Sequence, residues 1–238
     1  MTDDAHATGR FYDTACGGVA ARLLQERLTL LWPDLRGLSV LGIGYAGPYL
    51  RTWREQAGRC IALTPAQAGA ARWPAGGPNL SCTAEEDALP FPDLCFDRIL
   101  LVHGLETADN ARRLLREAWR VLKDDGRLLI VAPNRRGWWA HSESTPFGHG
   151  RPYSFGQISR LLAESMYRAE RRDTALYVPP TNWLPVLKSA ALLERTGRRY
   201  VSGLAGVTIT EAVKDVYAAM PVDAMAVRRV VLSIAEAA

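Results

Sequence analysis

Gly42, Gly44 and Gly47 stand in a G-x-G-x-x-G spacing at the end of an apolar run, residues 38–43. Glycine at such points lets the backbone turn sharply and come close to a ligand. A dinucleotide site of this type also needs Asp or Glu about 20 residues on, to hold ribose hydroxyls. The next apolar run ends Cys60-Ile61-Ala62-Leu63-Thr64, with no acid. Acids come later, as Glu85, Glu86 and Asp87. His103 follows the run 96–102, where an imidazole can act as a base near neutral pH or bond backbone at a strand end. The stretch 145–153, TPFGHGRPY, holds His149, Arg151 and Tyr153 among glycines and prolines. Its composition suits a substrate lid or an ordered surface loop. Arg135, Arg136 and Arg151 suit a carboxylate or phosphate on a ligand. Trp138 and Trp139 either line an apolar pocket or pack the loop onto the domain.

The elements that must carry these residues follow from periodicity. Residues 15–32 have helical apolar spacing, stopped by Pro33. Strands are expected at 38–43, 59–63, 79–82, 96–102, 127–132, 173–178 and about 207–214. Pro48 opens a helix to about residue 56, and Thr64-Pro65 reads as a cap-plus-proline helix start. Ala111, Leu114, Leu115, Ala118, Trp119 and Leu122 form a full amphipathic stripe within a helix at 109–123. Asp109 can cap that helix and Gly126 can close it. Ser154 and Gln157 suit a capping box for a helix at 155–166, and 183–199 reads as one helix. Alternating strands and helices predict a parallel sheet with right-handed crossovers. Ligands then lie outside the carboxyl ends of the strands.

The length of 238 residues and a hydrophobic fraction of 48% fit a globular chain with a real core. No run approaches the ~18 apolar residues of a membrane span. The start, MTDDAHATGR, is polar and acidic, unlike a secretory signal, so the expected location is cytoplasmic. Cys16, Cys60, Cys82 and Cys95 form no C-x-x-C pair, which leaves no metal spacing and predicts small buried thiols. Residues 1–110 carry 9 Lys+Arg against 13 Asp+Glu, and residues 111–238 carry 20 against 12. A basic half suits acidic ligands or nucleic acid, but no interleaving of aromatic and basic residues favours nucleic acid.

The run 89–106 (LPFPDLCFDRILLVHGLE), the block 114–134 (LLREAWRVLKDDGRLLIVAPN) and the glycine loop occur in the order seen in class I S-adenosylmethionine-dependent methyltransferases. Residues 89–134 resemble that family most specifically. Phe11-Tyr12-Asp13-Thr14 is similar to the aromatic segment that lids the cofactor in small-molecule members. The resemblance implies an α/β Rossmann-like three-layer sandwich, with a mostly parallel seven-stranded sheet whose last strand is antiparallel. Residues 1–214 would form one domain with a helical insert at about 180–205, followed by a C-terminal extension, 215–238. It implies S-adenosylmethionine as cofactor, held by Tyr12, Gly42, Gly44, Tyr45, Gly47, Leu63, Thr64, Glu85, Asp87 and His103. From their own chemistry and positions, His103 and His149 are the candidate catalytic bases, and Arg135, Arg151 and Tyr153 the candidate contacts to a small-molecule, anionic acceptor. The family's usual acids are replaced by Gly42 and by Ala62, Leu63 and Thr64. One lost hydrogen bond to a charged group weakens binding about 10- to 150-fold. A non-catalytic relative with a regulatory role is the rival expectation. A nicotinamide-dependent oxidoreductase lacks the same acid and has no use for the 89–134 block.

Overall fold

The computed structural model describes residues 4–69, 72–74 and 77–215. Helix α1 is Asp4–Tyr12, α2 Ala15–Leu31, α3 Gly47–Leu50, α4 Ala111–Val121, α5 Phe155–Glu164, α6 Leu184–Lys188 and α7 Ala190–Tyr200. Strands are β1 Ser39–Gly44, β2 Arg59–Pro65, β3 Ser81–Ala84, β4 Phe96–Val102, β5 Leu122–Pro133, β6 Tyr167–Ala175 and β7 Val207–Lys214. They form one seven-stranded sheet in the order β3-β2-β1-β4-β5-β7-β6. β1, β2, β3, β4 and β5 pair in parallel, while β7 runs antiparallel to both β5 and β6.

Alternation along the central strands divides two cores, because successive side chains leave opposite faces of a sheet. Val40, Leu100, Val102, Leu129 and Val131 pack with α2, Trp53 and Trp139 on one face. Leu41, Ile43, Ile99, Leu101, Leu128 and Ile130 pack with α4 and α5 on the other. Sheet and two helical faces make the expected three-layer α/β sandwich.

Several boundaries differ from expectation, each for a local reason. α3 stops at Leu50, and 3₁₀- and α-type hydrogen bonds carry the chain in turns to residue 57. Thr64-Pro65 ends β2 instead of opening an α-helix, and only a 3₁₀ turn, Ala66–Ala68, follows. β3 lies at Ser81–Ala84, two residues beyond its expected place. Asn110, not Asp109, caps α4, its side chain accepting from the Arg113 N–H. Gly126 lies inside β5, where a Cβ would meet the Leu122 side chain at 2.6 Å. The sixth strand is Tyr167–Ala175, not 173–178; an edge strand wetted on one side carries Arg168, Arg171 and Arg172 and shows no apolar run. The helix expected at 183–199 is broken at Ser189 into α6 and α7. The capping box forms as expected, with the Ser154 N–H donating to Gln157 Oε1 at 2.8 Å. Of the expected C-terminal extension, residues 216–238 lie outside the described residues.

The segment from Leu89 to Asp93 is strapped to α4 by one arginine. Arg120 donates to the carbonyls of Leu89 and Phe91 and pairs with Asp93 and Glu117. The Arg120 hydrogen bonds hold the Glu117 carboxyl below its ordinary value of 4.5, against the opposing effect of burial. A depressed folded pKa adds stability that is present above the unfolded pKa and is lost as pH falls through the folded one. Glu117→Gln should therefore flatten the acid limb of a urea-midpoint profile below about pH 4.5. An unchanged acid limb would refute that assignment.

Candidate functional site

A cavity of about 590 Å³ opens at the carboxyl ends of the strands, lined among others by Gly44, Thr64, Glu86, His103 and Glu106. That volume is in the usual range for small-molecule sites. Three elements close over it: α1 through Ala7, Thr8 and Phe11, the glycine loop through Tyr45, and the loop 143–151.

Gly44 has φ +82°, and a Cβ there would lie 2.3 Å from the Val102 carbonyl oxygen and 3.0 Å from the Gly104 nitrogen. The loop is thus pressed against the end of β4, and Tyr45 N–H donates to that same Val102 carbonyl at 2.7 Å. Gly42 serves packing instead of the cavity. It is buried, and a Cβ would meet Ala46 at 2.6 Å and Leu50 at 2.7 Å, so α3 sits where the usual acid would project. Gly47 likewise faces Trp73, at 2.8 Å from an added Cβ. Leu63 points into the lower core, so neither it nor Gly42 nor Gly47 lines the cavity, whereas Thr64 does.

Of the acidic trio, the favoured pair Glu85 and Asp87 is exposed, with Asp87 paired to Arg113. Glu86 is the one in the cavity wall, accepting from Asp109 N–H at 3.1 Å. Burial pushes its carboxyl up.

His103 is a left-handed residue, φ +52°, held between two partners. Its Nε2 meets the Tyr12 hydroxyl at 2.8 Å and its Nδ1 meets Glu106 Oε1 at 3.1 Å. The Tyr12 hydroxyl is also 2.9 Å from the Tyr49 hydroxyl. Burial, with Tyr49 adding to it, drives the Tyr12 phenol far up, so this hydroxyl stays protonated. The chain is satisfied with Tyr49 O–H donating to Tyr12, Tyr12 O–H to Nε2 and Nδ1–H to Glu106, and the two tyrosine bonds can also run in the reverse direction. Tyr12 also stacks on Tyr45 with centroids 5.1 Å apart, and Phe147 leans on the His103 ring at 4.4 Å.

The 143–151 loop is ordered by burial of Trp139 and Phe147, which meet edge to face. Trp139 packs the loop onto the domain, while Trp138 is exposed. His149 and Arg151 are exposed on the cavity rim, and Arg151 N–H donates to the Glu106 carbonyl at 2.9 Å. Arg135 and Tyr153 lie outside the lining; Tyr153 bonds the Leu105 carbonyl at 3.4 Å. Glu106 and Phe147 were not singled out from sequence. The only signal for Glu106 is its position three residues after His103, in the turn that follows β4.

This strand order, with an antiparallel seventh strand and a glycine turn after the first, defines the class I S-adenosylmethionine-dependent methyltransferase fold. Residues 40–130 match the family described as Methyltransferase domain. Among curated proteins it is similar to the ubiquinone/menaquinone biosynthesis C-methyltransferase UbiE of Enterobacter sp. (strain 638), 35% identical over 99 residues, 38% of this chain and 39% of that one. The UbiE of Xylella fastidiosa (strain M23) is 33% identical over 132 residues, 52% of this chain and 48% of that one. The chain thus spans less than half the length of these curated relatives. Among solved structures, a Thermotoga maritima S-adenosylmethionine-dependent methyltransferase, described as a possible histamine N-methyltransferase, superposes with TM-score 0.58 at 16% identity, covering 87% of this chain and 94% of its own. An S-adenosylmethionine-dependent methyltransferase from Mesorhizobium loti gives TM-score 0.55 at 15% identity, covering 79% and 96%. At these identities the likeness concerns the fold. Among the described residues, no helix is long and apolar enough to cross a membrane.

Proposed function

We propose that this protein is an S-adenosylmethionine-dependent methyltransferase acting on a small molecule, in one domain that runs to about residue 214. The single observation that carries the reading is the cavity at the ends of β1, β2 and β4, walled by a glycine whose Cβ has no room. The residues present fit the cofactor. Gly44 allows close backbone approach, Thr64 and Gln67 offer neutral polar groups where relatives place an acid, and Glu86 is a buried acceptor further along the wall. Tyr12 and Tyr45 form a stacked roof beside the glycine turn.

When bound, the cofactor supplies a methyl group already activated by a sulfonium. The protein's part is to position and desolvate the partners. His103 is the proton acceptor for a nucleophile that must lose a proton. For Nε2 to act, the Tyr12 hydroxyl has to release it, which ties base action to the seating of α1. His149 and Arg151 flank the mouth and would meet the acceptor. The relatives named as ubiquinone/menaquinone biosynthesis C-methyltransferases make a quinone precursor the first acceptor to try, followed by phenols and amines.

Titration calorimetry with S-adenosylhomocysteine tests the reading. The neutral ribose contact predicts a Kd of roughly 10⁻⁵ to 10⁻³ M. Transfer of labelled methyl from S-adenosylmethionine to the acceptor panel tests activity. No heat at millimolar ligand would sink the reading and favour a non-catalytic role.

A further inference from the structure

Nine large apolar side chains are exposed among the described residues, and six of them fall between residues 183 and 204. They are Trp183, Leu184, Leu192, Tyr200, Val201 and Leu204, each at least 45% exposed. Scattered singly such residues need no explanation, but gathered in one insert they mark a surface with a partner. The seating of α7 shows why part of this set faces out. Its inner side is fixed by Glu194, whose carboxylate accepts from the Leu176 and Tyr177 N–H groups at 3.1 and 2.8 Å. Gly197 lies on the same side, where a Cβ would stand 2.5 Å from Tyr177. Helical spacing then turns Leu192, Arg195 and Arg199 to the opposite side. The turn after β5 adjoins the end of the insert. Asn134 Nδ2 donates to the Gly203 and Ala205 carbonyls at 3.0 and 2.8 Å, and exposed Arg135, Arg136 and Trp138 follow it.

The charge of this surface is one-sided. Lys188, Arg195 and Arg199 are exposed and, like Arg135 and Arg136, form no ion pair among the described residues. Glu194 is the only acid in residues 174–206, and it is turned inward, its side chain 7% exposed and paired with Arg198. That combination selects the partner. A second copy of this chain would need a self-complementary patch, and cations without an acid repel each other across a two-fold axis. Nucleic acid would use the cations and leave Leu184, Leu192 and Leu204 without a role. An anionic lipid surface uses both. Lys and Arg meet the headgroups, Trp and Tyr sit at the interface, and Leu enters the acyl boundary.

We propose that the insert at 183–204, with Arg135, Arg136 and Trp138 beside it, docks this protein on an anionic phospholipid surface. The docking itself does not depend on the methyltransferase reading. On that reading it also sets the class of acceptor. Residues 180–182, just before Trp183, wall a second cavity of about 530 Å³, which shares Ala7, Phe11, Ser144 and Thr145 with the first. An acceptor that partitions into lipid thus leaves the surface beside the site.

Sedimentation of the full chain with vesicles tests the docking without cofactor or acceptor. Phosphatidylcholine vesicles with about 30 mol% phosphatidylglycerol should bind at least roughly tenfold more tightly than phosphatidylcholine alone, and less tightly as salt is raised. Trp183→Ser combined with Leu192→Ser should lower that binding at least roughly tenfold, through loss of apolar insertion. Arg195→Glu combined with Arg199→Glu should lower it about 25-fold or more, at about fivefold for each cation lost. Leu30→Ser, an equally exposed change at the far end of α2, should bind as the native protein does. Equal binding of the native protein to both vesicle compositions, or to neither, would overturn the inference. Undiminished binding in both double variants would do the same. So would a native dimer in sedimentation velocity that Trp183→Ser with Leu192→Ser splits, because the surface would then join two copies. Should a variant not fold, the two vesicle compositions and the salt series on the native protein still decide. Failure of S-adenosylhomocysteine to bind would remove the methyltransferase reading and leave the docking standing.

Discussion

Gly44→Ala should lose about 2–4 kcal/mol of stability and bind S-adenosylhomocysteine too weakly to measure. Two costs add. An alanine at φ +82° is strained by about 1–2 kcal/mol. Its Cβ would also stand 2.3 Å from the Val102 carbonyl oxygen, and that atom belongs to the backbone of a central strand and cannot swing aside. The glycine turn has to lift away from β4, breaking the Tyr45 N–H bond to that carbonyl and moving the cavity wall. Gly18→Ala is the contrast. Gly18 is exposed in the interior of α2, with nothing within 4 Å of an added Cβ. Replacing it should stabilise the protein by up to about 1 kcal/mol through helix propensity alone. Chemical denaturation of both variants, with calorimetry, checks the pair. A Gly44→Ala protein within about 0.5 kcal/mol of native, binding undiminished, would contradict the role given to this turn.

His103→Asn should lower methyl transfer by about 10²- to 10⁴-fold, measured on whichever acceptor the labelled-methyl panel returns. Asparagine is chosen because it tolerates the left-handed backbone at φ +52°, which alanine would not. The loss comes chiefly from removal of the group that accepts the proton, alongside the contacts that the ring makes to Tyr12 and Glu106. Affinity for S-adenosylhomocysteine should change by less than about tenfold, the worth of one neutral hydrogen bond. Unchanged turnover would show that the acceptor needs no base, or that His103 only anchors Tyr12. Tyr12→Phe separates those two cases. It removes the bond to Nε2 but leaves the stacking surface on Tyr45, so a pure anchoring role predicts that Tyr12→Phe and His103→Asn behave alike.

The fold was legible where burial is two-sided or periodic. β4 and β5 are covered on both faces and read as apolar runs through residues 99–102 and 128–132, and α4 shows its stripe at every turn. The Ser154 capping box was legible because its two hydrogen bonds are local in sequence. β6 was misplaced because an edge strand satisfies its backbone on one side and can afford arginines. The site was legible only as residues standing at or just past the ends of expected strands. Gly44, Thr64, Tyr45 and His103 were named and line the cavity, but so were Gly42 and Leu63, which are core residues. Spacing alone cannot say which face a residue at a strand end will take. Glu86 was displaced by its exposed neighbours for the same reason. The contact between Tyr12 and His103 spans 91 residues, and no local pattern announces it. Nor could the sequence say why the glycine loop lacks an acid. The close seat of α3 on β1 supplies the reason, since any side chain at Gly42 would strike Ala46 and Leu50.

A crystal structure of the protein grown with S-adenosylhomocysteine tests the central claim most directly. Density for the nucleoside should fill the space bounded by Gly44, Thr64, Glu86 and His103, with Tyr12 and Tyr45 beside it. A cavity left without ligand at saturating concentration, or a nucleoside bound elsewhere on the molecule, would leave the architecture standing and remove the methyltransferase account.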